Sequence, residues 1–503
     1  MSIKQKGLLI TYILFLILIV VSCISGPAPV SIDECSHYVD NEAQIDGDGS
    51  LESPWISIAE HVNDLEPDDT ICVRGNMVEP SRIYTESLII CNSAGTASEP
   101  IAIRAYPGES VTICVTGSQN IFRIRGDHWI IADLTLEKPG GGIAILVEGG
   151  NYNIIQDCEI QGGTYRGILL AGASNNIIRD NYIYNFLGRA YVDGIGILLS
   201  DGCHDNIIID NEIYDCGDGV QIYVPNSGEP GDYNISGNII QNNHIWVSPE
   251  NASCCENAVD IKAGNPTITD NIFHGFRNCD GSCGSTGSAG EAVLIHGQLV
   301  NTVTVSHNEI YNSAAGIRVH YTTDATVAID HNLIHDLTLD PASWLHAAII
   351  TGDGGGYHLI THNTIANCPD HNPFVLYGRD HSIFNNLIYS TAHTRHGSVL
   401  PVADYNGWFA VSAWDDYAGP HDTVGDNPIL TANYRLTENN PARGRGQSGT
   451  DLGAFAYETP GIETPTPTDG EWWEHCTSCP TYLIQPTYTP EYTPTCRPCQ
   501  PSP

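Results

Sequence analysis

The feature that most narrows what this chain can fold into is one short pattern that keeps returning: "DNYIYN", "DNEIYD", "NNHIWV", "DNIFHG", "HNEIYN", "HNLIHD", "HNTIAN" and "NNLIYS". Its asparagines are Asn181, Asn211, Asn243, Asn271, Asn308, Asn332, Asn363 and Asn386, spaced 23 to 37 residues apart. A period in this range, broken by irregular insertions, marks a solenoid in which each repeat stacks on its neighbours. Between the asparagines apolar and polar residues alternate, as in "NIIIDNEIYDCGDGVQIYV". Period two with Ile and Val enriched predicts short strands, and no long segment inside the repeats carries a helical period. Each repeat is therefore expected to be one coil of three short strands. Isoleucines should stack into a dry core, with coils roughly 4.8 Å apart. The asparagine suits a corner, because it tolerates left-handed backbone angles. A ladder of amides pairing from coil to coil also leaves no buried polar group alone.

Both ends of such a stack expose open strands and need covers. "SPWISIAEHVNDLEP" predicts a short amphipathic helix with Ile58, Val62 and Leu65 on one face, a lid for the first coil. "YRLTENNPARGRGQSGTDLGAFAY" is expected to close the far end. The expected boundaries are a linker over 23–43, the cap and first coils over 44–110, the main stack over 111–430, a closing segment over 431–457 and a tail over 458–503. The repeats resemble right-handed parallel β-helix, pectin-lyase-like proteins over roughly residues 44–457. The opening "DGDGSLESPWISIAEHVNDLEPDDTICVRG" resembles the first region common in secreted polysaccharide-active members. The resemblance implies an all-β solenoid and does not choose among activities, since this fold hosts lyases, hydrolases, epimerases, esterases and non-enzymes.

Residues 1–22 pair Lys4 and Lys6 with the apolar run "LLITYILFLILIVV", a secretory signal too short for a comfortable membrane span. "VVSC" resembles a bacterial lipobox, which implies a lipidated Cys23. The other reading is an ordinary signal cut a few residues later, at "SGPAP". Either predicts an extracytoplasmic protein, secreted or held at the cell surface only by a lipid anchor. Removing the signal moves the formal charge from −39 to −41. Such a surface repels nucleic acid and anionic membranes, and would repel an acidic polysaccharide unless a cation intervenes. No oligomer is expected. Beyond Cys23 there are 16 cysteines, so disulfides are expected, with cross-links between "NASCCEN" (Cys254, Cys255) and "NCDGSCG" (Cys279, Cys283) among the possibilities. In the Pro/Thr-rich tail, Cys476-x-x-Cys479 and Cys496-x-x-Cys499 match a zinc-ribbon spacing. The stretch between them lacks the turns and strands a ribbon needs, which favours disulfides or an extended spacer over zinc.

One strand of each coil can be aligned: "RGILLA", "DGIGIL", "DGVQIY", "NAVDIK", "EAVLIH", "AGIRVH" and "HAAIIT", beginning at Arg166, Asp193, Asp218, Asn257, Glu291, Ala315 and His346. Third and fifth residues should face the core, and fourth and sixth outward. The fourth column then reads Leu169, Gly196, Gln221, Asp260, Leu294, Arg318 and Ile349. The sixth reads Ala171, Leu198, Tyr223, Lys262, His296, His320 and Thr351. Lys262, one of four lysines in the chain, is thereby expected on a polar ridge with Asp260, His296, Arg318 and His320. Insertions at 226–236, 248–256 and 276–289 could wall it. Lys262, Arg318, His296 and His320 are the candidate catalytic groups, and Gln221, Tyr223, Glu291 and His346 the candidate substrate contacts. The bland reading of any one of them is a solvated side chain or a weak surface ion pair.

The chemistry that would use such a ridge is β-elimination on a uronate polymer. A base removes the proton beside the carboxylate and the glycosidic oxygen leaves, which requires the carboxylate to be neutralised. Calcium bound by clustered carboxylates would do so and would bridge an acidic protein to an acidic substrate. "VDGIGI", "GDGVQI" and "NAVDIK" resemble family 9 pectate lyases. The resemblance implies Asp193 and Asp218 as calcium ligands and Lys262 as the base, with Asp260 and Glu256 as further candidate ligands. The family's doubled aspartate is Gly217-Asp218 here, and another of its aspartates is Gln221. A looser likeness to family 6 lyases would pair Lys262 with Arg318. The alternatives are hydrolysis by two carboxylates drawn from Asp193, Asp218 and Asp260, with "IHG" at 295–297 similar to a polygalacturonase motif, and a non-catalytic glycan-binding surface.

Overall fold

The computed structural model describes residues 34–457, except 79, 189–192, 225–234, 280–287, 323–324, 353–355, 378–380, 393–394, 397–400 and 412–418. The expected signal, the lipidation site and the tail cysteines lie outside the described residues. So do most of the insertions at 226–236 and 276–289. No helix among the described residues is long and apolar enough to cross a membrane.

The strands form three sheets of 14, 12 and 14 strands, and in each sheet neighbouring strands come from successive repeats. Named strand pairings such as Ile177↔Ile207 and Ile183↔Ile213 are parallel and in register. The fold is a right-handed parallel β-helix, the hand that connections between parallel strands take almost without exception. One continuous core runs inside it, built from stacked Ile, Val and Leu with Phe122, Trp129, Phe273 and Phe374.

The asparagine ladder forms as expected, with one difference. Each amide donates to the next: Asn181 to Asn211 at 3.0 Å, Asn211 to Asn243 at 3.0 Å, Asn243 to Asn271 at 3.0 Å, Asn271 to Asn308 at 2.9 Å, and onward to Asn406. The left-handed backbone belongs to the residue before each ladder asparagine: Asp180, Asp210, Asn242, Asp270, His307, His331, His362 and Asn385, with φ between 52° and 61°. The turn is made by that solvent-side residue. The asparagine is left free to put its amide inside, where its Oδ1 accepts from the preceding coil's backbone (Asn243 N to Asn271 Oδ1, 2.9 Å).

The lid is shorter than its sequence pattern. Helix is confined to Ile58–His61, with Ser57 as N-cap and the Glu86 carboxylate accepting from Ile58 N and Ala59 N. Ile58, Val62 and Leu65 are nevertheless all buried, so the apolar face is used although only part of it is helical. At the other end Leu436, Ala442 and Leu452 pack on Leu387 and Phe409. Cys35 and Cys72 are bridged, and Cys114 and Cys254 are in disulfides. The oxidising expectation is otherwise only partly met. Cys91, Cys158, Cys203, Cys216, Cys255 and Cys368 point into the core as thiols, where sulfur packs as a small apolar group.

The strands that carry the candidate site are β1 (Arg166–Ala171), β2 (Ile195–Ser200), β3 (Asp218–Tyr223), β4 (Asn257–Gly264), β5 (Glu291–Leu299), β6 (Ala315–Thr322) and β7 (Ala347–Thr351). Five of the seven expected alignments hold. Two do not. Ile195, not Asp193, pairs with Asp218, so the second segment is shifted by two and contributes Leu198 and Ser200 to the outer columns instead of Gly196 and Leu198. Ile349 pairs with Ile317, a shift of one that turns Ile349 into the core and carries Thr351 with it, leaving Ile350 on the outer face, where it is buried against Ala315, Ala347 and Val375. Both segments carry more aliphatic residues than a strand needs, so alternation admits more than one frame. The second residue of every strand is Gly167, Gly196, Gly219, Ala258, Ala292, Gly316 or Ala348. The corner there is so tight that a Cβ on Gly196 would lie 2.6 Å from Gly219 O, and one on Gly219 2.6 Å from Ala258 O.

Replacing Asn271 by Leu should leave the buried Asn243 N–H without its acceptor and the Ile240 and Thr269 carbonyls without the Asn271 Nδ2 donor, at about 1–3 kcal/mol for each unsatisfied group. The expected outcome is a midpoint well below wild type in urea denaturation, with Asn271→Asp, which keeps the acceptor, falling between the two.

Candidate functional site

Asp260, in the middle of β4, is the hub of the ridge. It is 1% exposed. Its Oδ2 pairs with Lys262 Nζ at 2.6 Å and its Oδ1 meets His296 Nε2 at 2.9 Å. Gln221, in register with Asp260 one coil below, donates through Nε2 to Asp260 Oδ2 at 3.3 Å and to Asp218 Oδ2 at 2.7 Å. Lys262 and His296 keep about a quarter of their side chains in solvent, at 26% and 29%. The carboxylates are therefore inside and the two bases at the surface. Tyr223 lies beside this group, its ring centroid 5.9 Å from Lys262 Nζ. His320 is in register with His296 on the next coil, and Gly297, at φ 85°, makes the bulge that follows His296 and brings its backbone against Lys262 O.

The electrostatics follow from packing so many carboxylates beneath a surface with few cations. Burial pushes the Asp218 carboxyl well above the usual range, and the neighbouring Asp260 and Glu256 charges push it further. Asp218 Oδ1 is buried without a hydrogen-bond partner among the described residues. Burial also raises Asp193, which lies two residues ahead of β2 and still feels Lys262, Asp260 and Arg166. Asp260 goes the other way. Burial opposes its charge, but the hydrogen bond from His296 and the nearby Lys262 ammonium hold it below the ordinary value. Burial alone would lower Lys262, yet the Asp260, Asp218 and Asp193 carboxylates outweigh it and hold the ammonium charged to higher pH than usual.

A second group sits farther along the axis. Arg318, in register with Leu294 and through it with Asp260, pairs through Nη1 with Glu291 Oε1 at 2.8 Å. Glu291 is itself buried and accepts from Ser288 Oγ at 3.1 Å. The Arg318 guanidinium lies 4.7 Å from the centroid of the Trp344 ring. Asn257 donates to Glu291 O at 2.6 Å, tying the two groups together.

The sequence therefore brings together Lys262, Asp260, His296, Gln221, Asp218, Tyr223 and, nearby, Asp193, Glu256, Arg318 and His320. Three candidate substrate contacts are placed differently from expectation. Gln221 and Glu291 are buried and act as internal partners of Asp218, Asp260 and Arg318, because their columns turn under the ridge rather than onto it. His346 precedes β7 and turns its Nε2 to Asp340 O at 3.1 Å, packing edge-on against His371. Ser288 and Trp344 lie in loops that no column alignment reaches, and Asn257 heads an aligned strand but carries no expected role.

Asp193, Asp218, Glu256 and Asp260, the expected cation ligands, meet as electrostatic neighbours of Asp218 rather than as a tight cage. Among the described residues, the sets of three groups whose ligand atoms lie within 4.8 Å of one another are Asp330–His331–His362 and Asp46–Glu60–His61. In the first, Asp330 takes Nδ1 of both histidines and Asn385 Nδ2 contacts His362 Nε2, a closed hydrogen-bonded network. Asp218 and Asp260 accept from one amide nitrogen through their facing oxygens. That holds them closer than the separation of about 6.5–9.5 Å that leaves room for the water of inverting hydrolysis.

Comparison with known proteins agrees with the architecture. Residues 108–253 match the family described as "Right handed beta helix region". The pectate lyase PEL9 of Emericella nidulans is 30% identical over 154 residues, which is 30% of this chain and 34% of that enzyme. Among solved structures, a PL6 alginate lyase complexed with a trisaccharide superposes with a TM-score of 0.53 at 15% identity, covering 83% of this chain and 92% of that one. A mannuronic acid-specific family 6 lyase from human gut microbiota gives 0.51 at 16% identity, covering 74% and 89%. The chain is a right-handed parallel β-helix repeat protein, with a partial resemblance to family 9 pectate lyases over about a third of the curated relative it matches.

Removing Asp260 should leave Lys262 beside the buried Asp218 without its partner, and breaking one side of a buried pair costs about 3–5 kcal/mol. Because the Asp260 pKa is lowered by folding, its contribution is full above the unfolded-state value of about 3.9 and fades as the pH falls below it. Urea denaturation as a function of pH should show the wild-type advantage over Asp260→Ala at neutral pH and its shrinkage in acid.

Proposed function

We propose that this protein is a polysaccharide lyase that cleaves a uronate-containing glycan by β-elimination at the Lys262 ridge, outside the cytoplasm. The observation that carries the reading is the Lys262–Asp260–His296 arrangement: an amine at the surface, fixed in place by a buried carboxylate that a second base also holds. The resemblance to a pectate lyase, 30% identical over 154 residues, supports it.

In this reading Lys262 removes the proton next to the uronate carboxylate. The electron pair forms the new double bond as the glycosidic C–O bond breaks, and the leaving oxygen takes up a proton, with His296 the nearest candidate donor. Lys262 must be neutral to act, and the surrounding carboxylates hold it charged. A divalent cation of the oxygen-loving class fits the donor set: Asp218 has a buried orphan oxygen, and Asp260, Asp193 and Glu256 are its neighbours. These residues would hold calcium, which when bound supplies positive charge that offsets the site carboxylates and the substrate's own. Offsetting them would release Lys262 toward its ordinary pKa.

Assays on pectate, alginate and glycosaminoglycans test this, read by the ultraviolet absorbance of unsaturated products. Wild type should produce that absorbance on one of these substrates and Lys262→Ala should not, while keeping its circular dichroism spectrum. Wild-type turnover in the variant would remove the assignment. Turnover should rise with pH, as expected for an amine that must lose its proton. Chelation should move that rise to higher pH, and calcium should restore it. Calcium affinity should weaken as the pH falls, because protonated Asp218 competes with the ion.

A further inference from the structure

The loop before β7 presents an indole where a folded protein would ordinarily hide one. Trp344 is 66% exposed, although an aromatic of this size has 150–250 Å² to bury. It is not on a loose tip. Next to it Ser343 is buried and donates through Oγ to Ala289 O on the neighbouring coil at 2.6 Å, and Leu345 N donates back to Ser343 Oγ at 3.1 Å. On the other side Asp340 accepts from Asn278 N at 2.8 Å and from Ala342 N at 2.9 Å. One face of the indole is backed by the Arg318 guanidinium at 4.7 Å, and Arg318 is in turn anchored by the buried Glu291. A rigid aromatic with one face supported and the rest in solvent loses little entropy when something lies on it.

We infer that Trp344 is a sugar-stacking subsite, which holds a pyranose ring of the polymer on its open face with the Arg318 charge behind it. The proposal rests on the reading of the Lys262 ridge as a glycan site. Register places Arg318 two coils beyond Asp260, roughly 10 Å along the axis, so the ring on Trp344 belongs to a neighbouring sugar and not to the unit being cleaved. Tyr223 stands beside Lys262 from the opposite axial side. The polymer would therefore run along the stack, held by an aromatic at each flank of the reacting unit. The apolar C–H face of the sugar meets the electron-rich indole face. The guanidinium, stacked on the far side, holds the indole in place and adds positive charge beneath the sugar. Trp344 would be a binding residue, with no part in proton transfer.

The test is retention of the full-length chain in native gels cast with pectate, alginate or a glycosaminoglycan, beside the turnover assay. Trp344→Ala should lose about tenfold in affinity, equivalent to about 1.4 kcal/mol, with unchanged circular dichroism. Trp344→Phe should recover most of it. In turnover, Trp344→Ala should raise KM by a similar factor and leave kcat within a few-fold. Retention of Trp344→Ala equal to wild type would overturn the proposal, as would a wild-type chain that none of these polymers retains. A chain that is retained through Trp344 but yields no unsaturated product would leave this subsite standing and remove the lyase reading.

Discussion

Everything in this molecule depends on the registered stacking of one coil on the next. Parallel strands exchange backbone hydrogen bonds along all three faces, and the ladder running from Asn181 to Asn406 repeats the same lock with side-chain amides at one corner. An amide buried in a single coil would be a cost. Repeated at every coil it becomes a line of paired donors and acceptors, each amide satisfied by those above and below. The left-handed residue before each asparagine makes this possible, because it turns the chain outside and leaves the amide inside. The insertions vary widely in length without disturbing the stack because they leave and rejoin it at corners.

Registration also makes the site. Gln221, Asp260, Leu294 and Arg318 come from four repeats spread over nearly a hundred residues, yet stand in one column. The neighbouring column brings His296 and His320 into line beyond Lys262. In a chain with 59 acidic residues and 20 basic ones, the ridge gathers cations where they are otherwise scarce and sets them over carboxylates that burial has made uncomfortable. Asp218 is raised by burial and by its acidic neighbours and lacks a partner at one oxygen. A fold that tolerates such a residue is using stability elsewhere in the stack to hold it, as functional sites commonly do.

Much of this was legible without coordinates. The hexapeptide repeat announced the solenoid, the alternation announced strands, and the "NAVDIK", "EAVLIH" and "AGIRVH" strands aligned as they pair. The misalignments at Asp193 and His346 have one cause. "DGIGILLS" and "HAAIIT" contain more aliphatic residues than a strand needs, so alternation fits more than one frame. The glycine and alanine column at the tight corner does not separate the frames, because Gly194 and Ala347 satisfy it as well as Gly196 and Ala348 do.

What the sequence by itself determined is the architecture and the membership of the ridge, because both follow from periodicity, and a period is a property of order along the chain. What only the tertiary structure decided is which polar groups are buried and with what. That Gln221 bridges two aspartates and Glu291 is absorbed by Arg318 and Ser288 depends on which way side chains turn within the columns, and that Trp344 stands in the open with a guanidinium behind it depends on how its loop packs. Loop packing joins residues with no fixed spacing, and no periodicity encodes it.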